Sequence, residues 1–446
     1  MNFIVIGLSL LLLSGCSSYG VVKNQGMADP PAEQPYEIAL AGGRNSGDIS
    51  LLLAFSGGGT RAAALSYGVL QELREASVTI DGQRRRMLDE IDVISSVSGG
   101  SFTSAYFGLN GEDIFEDYED VFLKRDVQSR LLRSLLNPLR WFGRTGRTEM
   151  AIGMYEREIF HGKTFADMRQ KGGPLILINA SDLGYGVRFS FVQEYFNLLC
   201  SDINSFPVAR AVTASSAVPV LFNPVVVKNY PGCEYERSKF LDRIRQQVGN
   251  KPELIKVVEG LMTYRDKEKR PYARFVDGGI TDNLGLRAVY EIIEVSGGVK
   301  AFVERNKQKV PRKLVLISVD ASTNPEPMMD QTAKQPSLEE TVDAMSSAQL
   351  HLYNAATLDL MNRTLRRWAR DVSTPQRTVE PHFIKIGFDD IQDADRNRYF
   401  NRIPTSFRLS EEQVDKLIAA GRELLRNNPD YRRLLASVQG GRAAVR

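Results

Sequence analysis

An apolar run that ends in three consecutive glycines is the feature that most constrains the fold. Ile49–Phe55 is apolar except for Ser50, and Ser-Gly-Gly-Gly-Thr-Arg follows directly at positions 56–61. A continuous apolar run of this length is typical of a strand that is buried on both faces of a parallel sheet. Apolar residues at helical spacing from Ala62 to Ala76 then predict a helix. The pattern therefore predicts a strand–loop–helix unit with a glycine-rich loop.

A second unit of the same kind follows. Ile91–Ser95 is a predicted strand that ends in Ser-Val-Ser-Gly-Gly at positions 96–100, and Ser101–Gly108 is predicted to continue as a helix. Strands alternating with helices indicate an α/β fold of three layers, in which helices cover both faces of a sheet. Further segments support this reading, namely the strand candidates Leu175–Asn179, Arg188–Val192, Ala273–Asp277 and Lys313–Val319 and the helix candidate Glu339–Asp371.

Composition divides the chain into successive parts. Residues 1–15 are predicted to be a signal peptide, and residues 16–48, rich in Gly, Pro, Ala, Asn and Ser, are predicted to be a flexible tether. Residues 49–390 form the predicted folded body, within which the densely charged stretch at about 230–271 reads as a surface insertion or lid. Residues 391–446 are predicted to be a peripheral helical extension, because Ser410 and Gln413 form a capping box before an apolar-periodic run.

The N-terminus resembles an export signal. Phe3–Leu13 is apolar but too short to span a bilayer, which needs about 20 residues. Leu-Ser-Gly-Cys at positions 13–16 resembles the lipobox of bacterial lipoproteins, which implies cleavage before Cys16 and a lipid on its thiol. Ser17 implies sorting to the outer membrane. No Lys or Arg precedes the apolar run, and an ordinary secretory signal or a buried first strand are the alternatives. We expect a lipid-anchored protein at the periplasmic face of the cell envelope.

Charge and cysteine usage exclude some classes of function. The net charge of the 446 residues is +3, and no nucleic-acid motif is present, so we expect no nucleic-acid partner. Besides Cys16, the chain contains Cys200 and Cys233, for which a disulfide in an oxidising compartment and two free thiols are both open. Their spacing is not that of a metal site, and we expect neither metal nor cofactor.

Ser98 has the surroundings of a nucleophile elbow. It lies between a predicted buried strand and a helix, with Ser96 before it and Gly99 and Gly100 after it. A sharp turn that exposes a hydroxyl requires such small neighbours. The usual pattern is Gly-x-Ser-x-Gly, from which Ser96 departs. A glycine-rich turn without catalysis and a phosphate-binding nest are the alternatives.

The loop at Gly57, Gly58 and Gly59 is a candidate oxyanion hole. Glycines between a strand and a helix leave backbone N–H groups free to bind an anion, including one that forms only during acyl transfer. A nucleotide loop is disfavoured, because no Gly-Lys-Ser/Thr follows and Ala62 occupies the last position of a dinucleotide fingerprint. Arg61 is expected either to hold the loop or to contact a phosphate head group, and a surface arginine at the start of the helix is the alternative.

Asp277 is the candidate partner of the serine. It ends a predicted strand and precedes Gly278 and Gly279, so it can reach the same sheet edge, although capping of the next turn is the alternative role. A serine hydroxyl needs a base. Of the three histidines, His351 and His382 follow in the order of an α/β-hydrolase triad, but none lies in a catalytic motif. The sequence therefore favours a Ser–Asp dyad.

These elements together resemble the patatin-like phospholipases over about residues 50–290. The resemblance rests on four blocks in the family's order: Leu53–Leu70, Ile91–Ser104, Val212–Pro219 and Val276–Leu284. It implies a patatin-like three-layer sheet and a Ser–Asp dyad that cleaves a lipid ester without a metal. Carried over by position, Ser98 is the nucleophile, Asp277 is the base and the glycine loop is the oxyanion hole.

A basic and apolar segment is a candidate contact with lipid. No acidic residue occurs between Asp126 and Glu149, where five arginines accompany several leucines, Trp141 and Phe142. Such a composition suits a membrane-surface segment. A core-facing helix with a solvated basic face is the alternative.

The sequence thus predicts a serine acyl hydrolase for a phospholipid or another acyl-ester lipid, attached to the membrane by an N-terminal lipid. A catalytically silent lipoprotein that binds lipid or protein, and an acyltransferase with the same site, are the alternatives.

Overall fold

The computed structural model describes residues 20–27, 34–42, 45–126, 146–219, 221–233, 245–246, 248–249, 251–325, 329–331 and 333–439. The predicted signal peptide, Cys16 and residues 127–145 of the basic apolar segment lie outside this part of the chain. Of the described helices, none has the length and apolar character needed to cross a bilayer.

A mixed sheet of eight strands is the centre of the fold. The strands of the described residues are β1 Gln25–Gly26, β2 Ile49–Phe55, β3 Ser77–Ile80, β4 Gln83–Arg86, β5 Ile91–Val97, β6 Leu175–Asp182, β7 Val187–Ser190, β8 Ser201–Asp202, β9 Val225–Lys228, β10 Tyr272–Val276, β11 Lys313–Asp320 and β12 Glu380–Gly387. Seven of them follow the order β12-β11-β2-β5-β6-β10-β9, and β7 pairs with β6. β1 and β8 form a small separate ladder, and β3 and β4 form a hairpin.

The first five strands in that order are parallel, so their carboxyl ends meet at one end of the sheet. β10 and β9 are antiparallel additions, and β10 descends towards that same end, where Val276 pairs with Ser181. β2 is buried along its whole length except at Ser50, as a strand covered on both faces must be. The predicted α/β fold with helices on both faces is confirmed.

The helices pack on the two faces of the sheet. They are α1 Gly59–Glu75, α2 Gly99–Asn110, α3 Ile114–Tyr118, α4 Arg147–Glu158, α5 Phe165–Lys171, α6 Gln193–Phe196, α7 Val208–Ser216, α8 Pro252–Met262, α9 Gly279–Asp282, α10 Leu286–Val295, α11 Val299–Arg305, α12 Leu338–Val372, α13 Ala394–Asn401, α14 Glu411–Asn427 and α15 Pro429–Gln439. The first two follow β2 and β5 directly, and they pack against each other. The groups α1–α2–α14 and α10–α11–α12 form the two helical layers.

The described part of the predicted tether is packed against the body. Asn24 donates to Ser201 Oγ at 3.0 Å and to the Lys228 carbonyl at 2.8 Å. The buried Tyr36 hydroxyl accepts from the Ile176 amide at 2.7 Å. The expectation of a free tether is therefore wrong for residues 20–27 and 34–42, because polar side chains in this low-complexity stretch bond to the sheet edge.

The charged insertion is likewise anchored. A disulfide joins Cys200 to Cys233, with 5.4 Å between the two Cα atoms, which settles the question left open by the sequence. Leu254 and Val258 bury one side of α8. Arg270 forms a buried ion pair with Asp182. The described later part of the insertion is thus fixed to the body.

The C-terminal helices belong to the core. α14 packs along α1 with close backbone contact, since a Cβ added to Gly68 would lie 2.1 Å from the Ile418 carbonyl oxygen. Leu417 and Leu425 are fully buried. Ser410 and Gln413 form the predicted capping box. The capping prediction is confirmed, but α14 is not peripheral.

Candidate active site

Ser98 occupies a strained turn between β5 and α2. Its φ of 50° and ψ of −120° lie outside the regions that non-glycine residues favour, which costs about 1–3 kcal/mol. The two residues after Ser98 have no room for a side chain. A Cβ on Gly99 would lie 1.9 Å from the Gly59 carbonyl oxygen, and a Cβ on Gly100 would lie 2.7 Å from the Ser56 carbonyl oxygen. The elbow and the glycine loop are therefore in direct contact, and both positions require glycine.

Ser96 fits the elbow despite departing from the usual pattern. Its side chain is fully buried, and its Oγ lies 2.6 Å from Ser104 Oγ on α2. It also donates to the Leu177 carbonyl at 3.3 Å. A serine at this position links β5 to α2 and β6 through hydrogen bonds that a glycine would lack.

Ser98 and Asp277 are hydrogen-bonded to each other. Ser98 Oγ donates to Oδ2 of Asp277 at 2.9 Å, and the Gly279 amide donates to Oδ1 at 2.8 Å. Burial raises the pKa of Asp277 to about 6, against the opposing effect of these two hydrogen bonds. The carboxyl is therefore ionised at neutral pH and accepts the serine hydrogen. In the described residues, no histidine hydrogen-bonds to either group.

The glycine loop borders the nucleophile, but only part of it is available to an oxyanion. The Gly57 amide donates to the Asn283 carbonyl at 2.9 Å, so the prediction that Gly57 contributes a free donor is corrected. Within the described chain, the amides of Gly58 and Gly59 have no acceptor, and positive φ values of 136° and 59° turn the backbone there. These two amides are the candidate oxyanion donors.

Gly57 still has a place in the site. A Cβ on this residue would lie 3.4 Å from Ser98 Cβ and 2.7 Å from Asn283 Oδ1. A side chain here would therefore collide with the Asn283 side chain and fill the space beside Ser98. Gly57 therefore keeps the loop close to Ser98 while its amide fixes the loop to the Asn283 carbonyl.

Arg61 holds the loop. Its guanidinium is buried, with Nε donating to the Ala321 carbonyl at 2.8 Å and Nη2 to Thr405 Oγ1 at 3.0 Å. A further donor bonds to the Ile403 carbonyl. Burial lowers the pKa of Arg61 to about 10, so the charge persists at neutral pH. Of the two predicted roles, this geometry supports loop holding, because the donors point into the protein.

Ser215 was not predicted as a site residue, although its side chain bonds to the backbone of Ser98. The Ser98 amide donates to Ser215 Oγ at 2.9 Å, and Ser215 Oγ donates to the Asn179 carbonyl at 2.6 Å. Ser215 lies in one of the four family blocks, but nothing local indicated its contact. Asn179 in turn donates to the Ser96 carbonyl at 3.1 Å, which ties the strands on both sides of the nucleophile.

One further cavity and the question of a metal site concern parts of the molecule away from Ser98. An apolar cavity of about 490 Å³, lined among others by Leu52, Asp92 and Trp368, lies at the amino ends of the parallel strands, away from Ser98. Within the described ranges, no three His, Cys, Asp or Glu side chains are grouped as metal ligands.

The fold and this site define an α/β protein with a serine elbow, and comparison with known proteins gives its family. The model of the patatin-like phospholipase family matches residues 53–290, which is more than half of the chain. The chain therefore belongs to the patatin-like phospholipase family. No curated protein sequence shows significant similarity to it.

Solved structures with a similar arrangement are distant in sequence. Human GIVD cytosolic phospholipase A2 matches with a TM-score of 0.44 and 12% identity, over 90% of this chain and 64% of the human chain. VipD from Legionella pneumophila matches with a TM-score of 0.33 and 13% identity, over 88% of this chain and 68% of VipD. The chain thus spans less than two thirds of the human enzyme's length.

Proposed function

We propose that the protein is a serine hydrolase of lipid acyl esters, with Ser98 as nucleophile and Asp277 as general base. The 2.9 Å hydrogen bond between the two side chains, beside two free loop amides in a patatin-like fold, is the observation that carries the proposal. The pKa of about 6 supports it, because the carboxylate is ionised at neutral pH yet basic enough to take a proton.

The reaction follows from this arrangement. Ser98 Oγ attacks the ester carbonyl carbon as Asp277 accepts the hydroxyl proton, and the amides of Gly58 and Gly59 bind the oxyanion. The ester C–O bond then breaks, and the alcohol leaves with the proton from Asp277. Water, deprotonated by Asp277, then attacks the acyl carbonyl. The bond between that carbonyl carbon and Ser98 Oγ breaks, Oγ takes the proton back from Asp277, and the fatty acid is released.

The direct test compares Ser98→Ala and Asp277→Asn with the wild type on an activated fatty-acyl ester. We expect each variant to lose at least about a thousandfold in kcat/KM, since the nucleophile and its base act as a unit. Asp282→Asn is the matched control, because Asp282 is a buried carboxyl of the same segment with its pKa also raised to about 6. Full activity in either site variant would reject the assignment.

Product analysis completes the test. Mass spectrometry of phospholipids incubated with the enzyme identifies the acyl chain and ester that are cleaved. Release of free fatty acid that depends on Ser98 identifies hydrolysis, whereas transfer of the acyl group to another alcohol identifies an acyltransferase. A fluorophosphonate that fails to label Ser98 in the folded protein would favour a silent, lipid-binding role.

We also propose that Cys16 carries a lipid that anchors the protein at the periplasmic face of the outer membrane. The sequence at positions 13–16 supports this, and the Cys200–Cys233 disulfide suits an oxidising compartment. Growth with a labelled fatty acid tests it. Label should enter the wild type and be absent from Cys16→Ser.

A further inference from the structure

Five exposed large apolar side chains lie near the carboxyl ends of the parallel strands. They are Leu183 and Tyr185 in the turn after β6, Leu221 in the loop before β9, Tyr272 at the start of β10, and Ile280, three residues after Asp277. All follow or adjoin the carboxyl ends of the parallel strands. We name these five residues the apolar rim. Contiguous exposed apolar surface is typical of an interaction site.

The first half of α12 extends this end further. Asn354 donates to Ser322 Oγ at 3.2 Å, two residues beyond the end of β11, and from there to Val372 the helix packs back along the sheet. Residues 338–353 precede this contact. At 1.5 Å per residue they reach about 24 Å beyond Asn354, away from the sheet.

This projecting half carries an exposed apolar stripe. Leu338, Val342, Met345 and Leu352 have exposed fractions of 81%, 51%, 64% and 72%. Their spacing of four, seven and fourteen residues from Leu338 places them within an arc of about 100° on the helix. Asn354, which contacts the body, lies on the opposite side. The stripe therefore faces outwards and leaves its apolar side chains exposed.

The start of the described chain, taken with the lipid proposed on Cys16, adds a second reason for a bilayer at this end. Gly20 is packed on β9, where a Cβ would lie 2.2 Å from Val226 Cγ2, and Val226 pairs with Arg274, three residues before Asp277. Four residues cannot span more than about 14 Å. The lipid proposed on Cys16 would therefore lie within about 14 Å of the strand that leads to the site.

We infer that the apolar rim and the α12 stripe together dock on a phospholipid bilayer, so that Ser98 faces the lipid from which its substrate comes. This inference rests on the proposed function. The rim and the stripe insert their apolar side chains, and the anchor proposed at Cys16 keeps both at the surface.

The docking test uses the full chain and does not require activity. Met345→Cys is labelled with a polarity-sensitive fluorophore in the Ser98→Ala background and reconstituted into phosphatidylcholine vesicles. Gln83→Cys, exposed on the β3–β4 hairpin at the opposite end, is the matched control. We expect a blue shift at position 345 and none at position 83. Equal shifts, no shift, or a shift that follows protein concentration without vesicles, as a second copy would give, would each overturn the inference.

The catalytic test separates docking from chemistry. We expect Leu338→Ser, Val342→Ser and Met345→Ser combined to lower turnover of phosphatidylcholine in vesicles at least tenfold and to leave kcat/KM for a soluble ester within twofold. Ser346→Asn with Ser347→Asn alters the polar side of the same helix and should change neither. Loss on both substrates, or on neither, contradicts the docking surface. An inactive wild type on soluble ester would instead refute the proposed function.

Discussion

Replacing Asp277 with Asn should abolish activity and yet stabilise the folded protein at alkaline pH. The carboxyl is buried, and burial raises its pKa from the ordinary value of 3.8 to about 6. The folded state therefore takes up a proton at a higher pH than the unfolded state does. Stability is gained from this group as pH falls from above 6 towards 4, and it is lost as pH rises through 6.

The size of the effect follows from the two pKa values. Because the pKa rises from 3.8 to about 6 on folding, burying this carboxyl lowers the free energy of unfolding by about 3 kcal/mol at pH 8 and by about half of that at pH 5. Asn has nearly the same shape and no charge. It loses the charge-assisted bond from the Gly279 amide at both pH values, so the quantity to compare is the change between pH 5 and pH 8, which is on the order of 1–2 kcal/mol.

Urea unfolding of the wild type and Asp277→Asn at both pH values measures this difference, provided that the urea slope is unchanged. Asp282, whose pKa is also raised to about 6, titrates in both proteins, and its contribution cancels in the comparison. A variant that gains no stability relative to the wild type between pH 5 and pH 8 would refute the argument that Asp277 is an ionised carboxylate in a costly site.

Three further predictions concern catalysis. For the wild type, kcat/KM on a soluble ester should fall about tenfold per pH unit below 6, because Asp277 must be ionised, and a flat profile would exclude it as the base. Ser215→Ala leaves the buried Ser98 amide without its acceptor, so we expect kcat to fall about tenfold with little change in KM, and stability to fall by about 1–3 kcal/mol in thermal unfolding. Gly99→Ala places a methyl group 1.9 Å from the Gly59 carbonyl and should lower kcat/KM at least tenfold, whereas unchanged kinetics would contradict the close contact of loop and elbow.

The parallel strands could be predicted where burial leaves a continuous apolar run. The bounds of Ile49–Phe55 are those of β2, and Lys313–Val319 falls one residue short of β11. β12 was missed because Glu-Pro-His-Phe-Ile-Lys-Ile-Gly is an edge strand with charged residues and a proline, which neither alternates cleanly nor forms an apolar run. An edge strand is only partly buried, so its sequence carries a weaker hydrophobic pattern than a strand in the centre of the sheet.

The residues of the site divide in a similar way. Ser98 follows the buried parallel strand β5, and its place at the carboxyl end of the sheet could be predicted from the sequence. Asp277 follows β10, which is antiparallel, and it reaches Ser98 because the register pairs Val276 with Ser181 near the carboxyl end of β6. Ser215 was missed because it contacts Ser98 across 117 residues, and no local pattern encodes that contact. The occupied Gly57 amide was unpredictable for the same reason, since its acceptor is a backbone carbonyl supplied by Asn283.

The loop beside Ser98 depends on residues beyond the segment that matches the family, and Arg61→Lys tests that dependence. Arg61 bonds to residues 321, 403 and 405, whereas the family match ends at residue 290. The Thr60 amide also donates to the Ser406 carbonyl at 2.9 Å. A lysine keeps the charge but cannot reproduce the guanidinium's separate donors to these segments.

We expect Arg61→Lys to lose no more than about 1.5–3 kcal/mol of stability for each charged hydrogen bond that the lysine does not replace. We also expect kcat to fall at least tenfold, because the Gly58 and Gly59 amides lose their orientation. Thermal unfolding and soluble-ester kinetics measure both. If the variant matches the wild type in both, the loop is positioned by its glycines alone; if it does not, the chain around Thr405 is part of the active site although it lies outside the family match.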